Sequence, residues 1–191
     1  MSQIQADRVI EGIALPDPGD WQLDPVHTSV EFVARHLMVS KVRGRFSKAT
    51  GTIHVAEDPT DSWVEVDIDA ASVESGDEKR DGHLRSPDFF DVEQYPQITF
   101  RSTRLEGESP GRFLVHGDLT VHGVTRPVTL EAEYHGWTSS PLGDRRAGFS
   151  ATAEVDREDF GLTWNVAIEA GGVLVGKKAK LDFEIEAIKQ D

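Results

Sequence analysis

Cysteine is absent from the 191 residues, which excludes a disulfide framework, a thiolate metal site and a cysteine nucleophile, and leaves the compartment open. Long apolar runs are absent too, since none approaches the roughly 18 residues that a membrane-spanning helix needs. The opening segment, MSQIQADRVIEGIALPDPGD, lacks the basic start and apolar core of a secretory signal, so a cytoplasmic location is expected, or a periplasmic or extracytoplasmic one if the numbered chain is already a processed form. Positive charge is scarce. With 20 Lys and Arg against 34 Asp and Glu, the chain has a net charge of −14. Nucleic acid and an anionic membrane surface are bound through excess basic side chains, so neither is an expected direct partner. No Gly-x-Ser-x-Gly elbow is present, and no Walker loop or dinucleotide fingerprint follows a strand. Gly171-Gly172 lacks that context and reads as a turn.

What the chain has in quantity is alternation. Val30-Glu31-Phe32-Val33-Ala34-Arg35 and Val64-Glu65-Val66-Asp67-Ile68-Asp69-Ala70 each set an apolar face against a charged one, the pattern of a strand wet on one side. The runs Phe113 to Val121, Val128 to Tyr134, Ala147 to Val155 and Ala179 to Ala187 repeat it. Strands this long need their edges hidden, and closure into an antiparallel barrel hides them. An eight-stranded barrel has an interior wide enough for one small ligand. The expected architecture is therefore all-β, a single antiparallel barrel of about eight strands over residues 21–191. Residues 1–20, ending in Pro16, Pro18 and Gly19, read as a flexible arm. The inward faces mix Phe32, Phe46, Phe100, Phe149 and Phe183 with Ala34, Gly51, Ala70, Gly117, Ala151 and Ala179. That mixture fits either a packed core or a hollow one.

One stretch breaks the rhythm: Ser75 to Phe100, SGDEKRDGHLRSPDFFDVEQYPQITF. Ser75 with Glu78 has capping-box spacing, and Pro87 stops the helix so started. Asp81 and Arg85 stand at the spacing of a surface ion pair. Leu84 is the helix's only large apolar side chain, so Phe89, Phe90 and Tyr95 are expected to anchor it, and the stretch reads as a lid.

Arg80-Asp81-x-His83-Leu84, Asp88-Phe89-Phe90-Asp91 and Tyr95-Pro96-x-Ile98-Thr99-Phe100 resemble the central signature of the YceI family of lipocalin-like polyisoprenoid-binding proteins. The resemblance extends to Leu23-Asp24-Pro25-x-His27-x-Ser29-Val30-x-Phe32, His36 and Gly44-x-Phe46 upstream. Downstream it includes Gly117-x-Leu119-Thr120-x-His122-Gly123-Val124 and Arg157-x-Asp159-Phe160-Gly161-Leu162. It implies a hollow barrel whose ligand is a long polyisoprenoid, an isoprenoid quinone or a similar lipid, with no other cofactor required. The apolar lining it implies comprises Phe32, Ala34, Phe46, Ile53, Val66, Ile68, Phe89, Phe90, Phe100, Leu119, Leu130, Phe149, Ala151, Trp164, Leu181 and Phe183. His27, His36, Arg80 and His83 fall in the matching blocks as head-group or lid contacts. Many relatives carry an export signal, and this sequence departs from them there.

The same residues bear on catalysis. His27, His36 and His83 lack the close spacing of metal ligands, so no metal is expected and hydrogen bonding to the lid is favoured. His54, His116, His122 and His135 fall on or beside wet faces. Asp81 sits two residues before His83, about 200 degrees around a helix, and cannot readily orient it as a triad acid would. No catalytic residue is assigned and the chain is read as a non-enzyme. Two rivals stand beside the carrier: an enzyme on a small apolar substrate using His27, His36 or His83, and a packed structural or stress protein. No stable membrane insertion is expected, and a homodimer is left open.

Overall fold

The computed structural model describes residues 8–10, 12–169 and 171–190. In chain order the elements are β1 (Arg8–Ile10), β2 (Ile13–Leu15), β3 (Gly19–Leu23), β4 (Ser29–His36), β5 (Ser40–Phe46), β6 (Ala49–Val55), β7 (Trp63–Asp69) and β8 (Val73–Glu74). Then follow α1 (Glu78–Arg85), β9 (Gln97–Ser109), β10 (Arg112–Val121), β11 (Val124–Ser139), β12 (Arg145–Asp156) and β13 (Val175–Lys189). The alternating runs become the staves of a closed antiparallel barrel of eight strands, ordered β12-β11-β10-β9-β7-β6-β3-β13. The ring shuts where β13 pairs back onto β12, from Arg146↔Ile188 to Asp156↔Lys178.

Two staves are bent. β3 and β4 form one stave broken at Asp24-Pro25, where proline has no N–H to give the ladder. The corner stays attached because the Asp24 N–H donates to the Glu186 carbonyl at 2.8 Å and its carboxylate accepts the Val26 N–H at 2.9 Å. β13 therefore pairs with β3 through Ala187–Lys189 and with β4 from Val175 to Glu184. β5 and β6 form the second bent stave, and the N–H groups of Ser47 and Lys48 at its corner both donate to Ser72.

At one end the barrel is floored. Trp21 is fully buried with Ala147 and Ala187, which face each other across β12 and β13, and its indole N–H donates to the Asp17 carbonyl at 3.0 Å. The described part of the expected flexible arm is instead an ordered hairpin, β1 with β2, laid over this end. Leu15 is buried with Trp21, Val55 and Tyr134, and the Tyr134 hydroxyl donates to the Ala14 carbonyl at 3.0 Å. Ile13 packs against the same cluster, and Arg8 donates to the Glu57 carbonyl, so the hairpin is held by several contacts. Residues 1–7 lie outside the described residues.

At the other end the wall is incomplete. β5 pairs with β8 only at Arg45↔Glu74 and Phe46↔Val73. The segment from α1 to Tyr95 fills this side: Phe90 meets Phe46 and Phe32 at centroid distances of 5.5 and 6.1 Å, and Tyr95 meets His122 at 4.6 Å. Two inward small residues do not leave space as expected. A Cβ on Gly117 would lie 2.4 Å from Phe100 Cζ, and one on Gly51 would lie 2.4 Å from the Glu65 carbonyl oxygen. Their missing side chains admit a ring and a neighbouring strand rather than a ligand.

Candidate functional site

The interior is hollow, in two lobes. Val30, Ile68, Leu119, Leu181 and Phe183 line both and form the neck between them. The deep lobe, about 160 Å³, reaches to the hairpin floor and is walled by Ile53, Val66, Phe100, Leu130, Phe149 and Ala151 among others. The outer lobe, about 420 Å³, is lined by Phe32, Ala34, Phe46, Phe89, Phe90, Trp164 and Ala179. Its rim adds Arg35, His36, Lys79, Arg80 and His83. Together they are of the size of small-molecule sites, a few hundred to about 1,000 Å³. Polarity rises from floor to mouth, so the shape and chemistry fit an amphiphile with a long apolar tail and a polar end.

Every apolar residue expected to line the interior does line one lobe or both. Of the four polar candidates, His36, Arg80 and His83 meet at the mouth, and His27 does not. His27 lies outside the barrel wall at the Asp24 corner, where its Nδ1 is 2.8 Å from Asp24 Oδ2. The sequence block containing it serves the bent stave instead.

The helix at the mouth is built differently from its sequence pattern. Its cap is Asp77, whose carboxylate accepts the Arg80 N–H at 2.8 Å; Ser75 sits too far ahead to do so. Ser75 instead donates its N–H to Asp81 at 2.7 Å, and its hydroxyl also bonds Asp81. Arg80 donates through Nε to Ser75 Oγ at 2.7 Å and through its second amino group to the Ser75 carbonyl at 2.9 Å, which leaves its other N–H donors for the mouth. The expected Asp81–Arg85 ion pair is replaced. Arg85 reaches the carbonyls of Ala71 and Val73 at 2.8 and 2.7 Å, where its planar fork fits two acceptors that the short β8 leaves open. These bonds tie the end of the helix to the barrel beside β8.

His83 is oriented by Asp88, at 2.8 Å, and not by Asp81. Its ring stands edge-on to Phe89 and Trp164, at 5.0 and 4.5 Å. Trp164 comes from the long connection between β12 and β13, which Arg157 pins. That guanidinium is almost fully buried and donates to the carbonyls of Leu162, Gly176 and Val175. Burial lowers its pKa, yet three carbonyl partners justify a buried cation. The sequence offered Arg157 only as part of a matching block, with no role, because its partners come from both ends of a long loop.

The other histidines are surface residues with polar or aromatic neighbours: His54 on Asp20 and Trp63, His116 on Thr129, His135 on Ser150, His122 on Tyr95. Among the described residues, Asp24, His27 and Glu186 are grouped as metal ligands could be. Arg146 already supplies the cation there, 2.6 Å from Asp24 Oδ2 and also bonded to Glu186 and Asp144. Asp24 is accordingly held down at about 2, first by the His27 hydrogen bond, then by the Val26 N–H and Arg146.

A closed eight-stranded barrel with an apolar bore and a polar, helix-covered mouth places the chain among the lipocalin-like barrels. The chain belongs to the YceI family: the model of the YceI-like domain matches residues 21–187. A UPF0312 protein of Vibrio parahaemolyticus is 36% identical over 186 residues, covering 93% of each chain. One of Staphylococcus aureus is 35% identical over 169 residues, covering 87% of this chain and 96% of its own. Among solved structures, a YceI protein of Campylobacter jejuni superposes with a TM-score of 0.71 at 29% identity, over 82% of this chain and 90% of that one. A polyisoprenoid binding domain from Saccharophagus degradans shares the fold with a TM-score of 0.68 at 17% identity, over 91% of this chain and 100% of that one.

Proposed function

We propose that the protein binds one long polyisoprenoid or isoprenoid quinone, tail inward through the neck and polar end at the His36, Arg80 and His83 rim, and stores or carries it without catalysis. The observation that carries this reading is the continuous apolar bore, polar only at one end. The description of the Saccharophagus degradans domain as polyisoprenoid-binding supports the ligand class. The rival, an enzyme using His27, His36 or His83, is less well supported: His27 is tied to Asp24 outside the barrel, and His83 is hydrogen-bonded to Asp88 and flanked by aromatic rings, with no nucleophile against it among the described residues. The packed-protein rival requires a filled interior, and the two lobes are open.

The tail should dominate affinity, because each buried CH₂ contributes about 0.8 kcal/mol before ordering costs. Titration with a series of quinones of increasing prenyl length tests this. Affinity is expected to climb with length until the bore is full and then level off. Affinity independent of prenyl length would overturn the proposal.

A further inference from the structure

The mouth carries apolar side chains on its outside as well as within. Leu37, Met38 and Val39 form the β4–β5 turn and are 37%, 52% and 81% exposed. Val166, 47% exposed, stands on the neighbouring connection, which is joined to the turn by the Leu37 N–H donating to the Leu174 carbonyl at 2.8 Å. Neither Leu37 nor Met38 lines a lobe, so the interior does not account for them. Turn chemistry does not account for them either. Both have positive φ, 51° and 62°, and the Val39 N–H donates to the His36 carbonyl, a geometry that favours Asn-Gly and resists branched or long side chains.

Charge around the turn is also unlike the rest of the surface. Arg35 and Lys41 face each other across β4 and β5, a like-charge pairing that is unfavourable unless an anion lies between them. Neither they nor Lys79 have an ion-pair partner among the described residues. The chain as a whole carries −14. Exposed apolar tips ringed by cations that lack partners match the phosphate layer and upper acyl region of a bilayer.

We propose that this end docks on a lipid bilayer, with the Leu37-Met38-Val39 turn and Val166 entering the headgroup region and Arg35, Lys41 and Lys79 meeting lipid phosphates. The mouth then opens onto the membrane, and a tail passes between bilayer and bore without crossing water. This rests on the lipid-binding reading. The acidic remainder of the surface sets the bilayer type, since a largely zwitterionic membrane offers phosphates without repelling the whole molecule. The charge deficit that argued against anionic surfaces thus becomes a preference among membranes.

The test replaces the turn with the residues its geometry favours, Leu37→Asn with Met38→Gly, which should leave thermal stability equal or higher. Wild type and variant are floated with phosphatidylcholine vesicles containing a small fraction of phosphatidylglycerol. Uptake of a long-chain prenyl quinone from those vesicles is then timed, and equilibrium loading is measured after exchange from detergent. The wild type is expected to float, with the variant at least tenfold lower in bound fraction and uptake rate but equal in detergent loading. Equal flotation and uptake by both proteins would overturn the proposal. So would turn-dependent self-association of the wild type in the absence of lipid, which would make a second copy the occupant. Turn-dependent flotation without quinone loading from detergent would uphold docking and overturn the ligand assignment.

Discussion

Phe90→Ala tests whether the α1 segment is a lid. The ring stands edge-on to Phe46 and Phe32, contacts of the kind worth about 0.5–1.5 kcal/mol each beyond their buried area. Phe90 is only half-buried, so the loss should fall below that of a fully buried Phe→Ala change, at about 2–4 kcal/mol. At about 1.4 kcal/mol per factor of ten, the segment should open roughly 30- to 1,000-fold more often. The Arg85 bonds to Ala71 and Val73 persist, so the segment should stay tethered at Arg85 rather than detach. Amide exchange followed by mass spectrometry should show faster exchange in Glu78–Arg85 and residues 89–95, with β11, β12 and β13 protected as before. Ligand in the outer lobe contacts Phe89 and the helix only when they are closed, and should slow this opening. Faster exchange spread evenly over β4, β5 and β9 would refute the lid and make the segment a structural plug, as would no change at all.

Ala151→Phe places a ring in the deep lobe. It should cut off uptake of long tails with little loss of thermal stability, whereas overpacking of a filled core would cost about 1–3 kcal/mol. Ala179→Phe, in the outer lobe, should impair short and long tails alike in the same uptake assay. Gly117→Ala makes the converse case: its Cβ would meet Phe100 at 2.4 Å, so the melting temperature should drop even without ligand. Asp24, held at about 2 against an ordinary 3.8, contributes stability that is present above about pH 4 and lost as pH falls toward 2. Asp24→Asn should remove that contribution, on the order of 2 kcal/mol, and flatten acid unfolding in this range.

Much of this was legible in the chain because strand periodicity is local. Phe149 and Ala151 alternate with outward polar residues whatever their partners, so their inward facing could be read from two-residue spacing. Pairing across the chain could not. Asp24 and Arg146 lie 122 residues apart, and nothing near either residue announces the clamp that keeps His27 from the mouth. The helix cap was misplaced for a smaller reason: Ser75 and Asp77 both satisfy cap chemistry, and which one meets the first N–H groups depends on how the chain leaves β8. Gly117 shows the same limit, since a small inward residue signals space without saying whether a neighbouring ring has taken it.

The central claim is that the bore holds a single long apolar tail. Native mass spectrometry of the protein purified without detergent, followed by organic extraction of the same sample, tests it most directly. One prenyl lipid per chain is expected as a discrete mass increment, released on unfolding and absent from Ala151→Phe. A wild-type protein that carries no apolar increment, and gains none after incubation with long-chain prenyl quinone, would contradict the account.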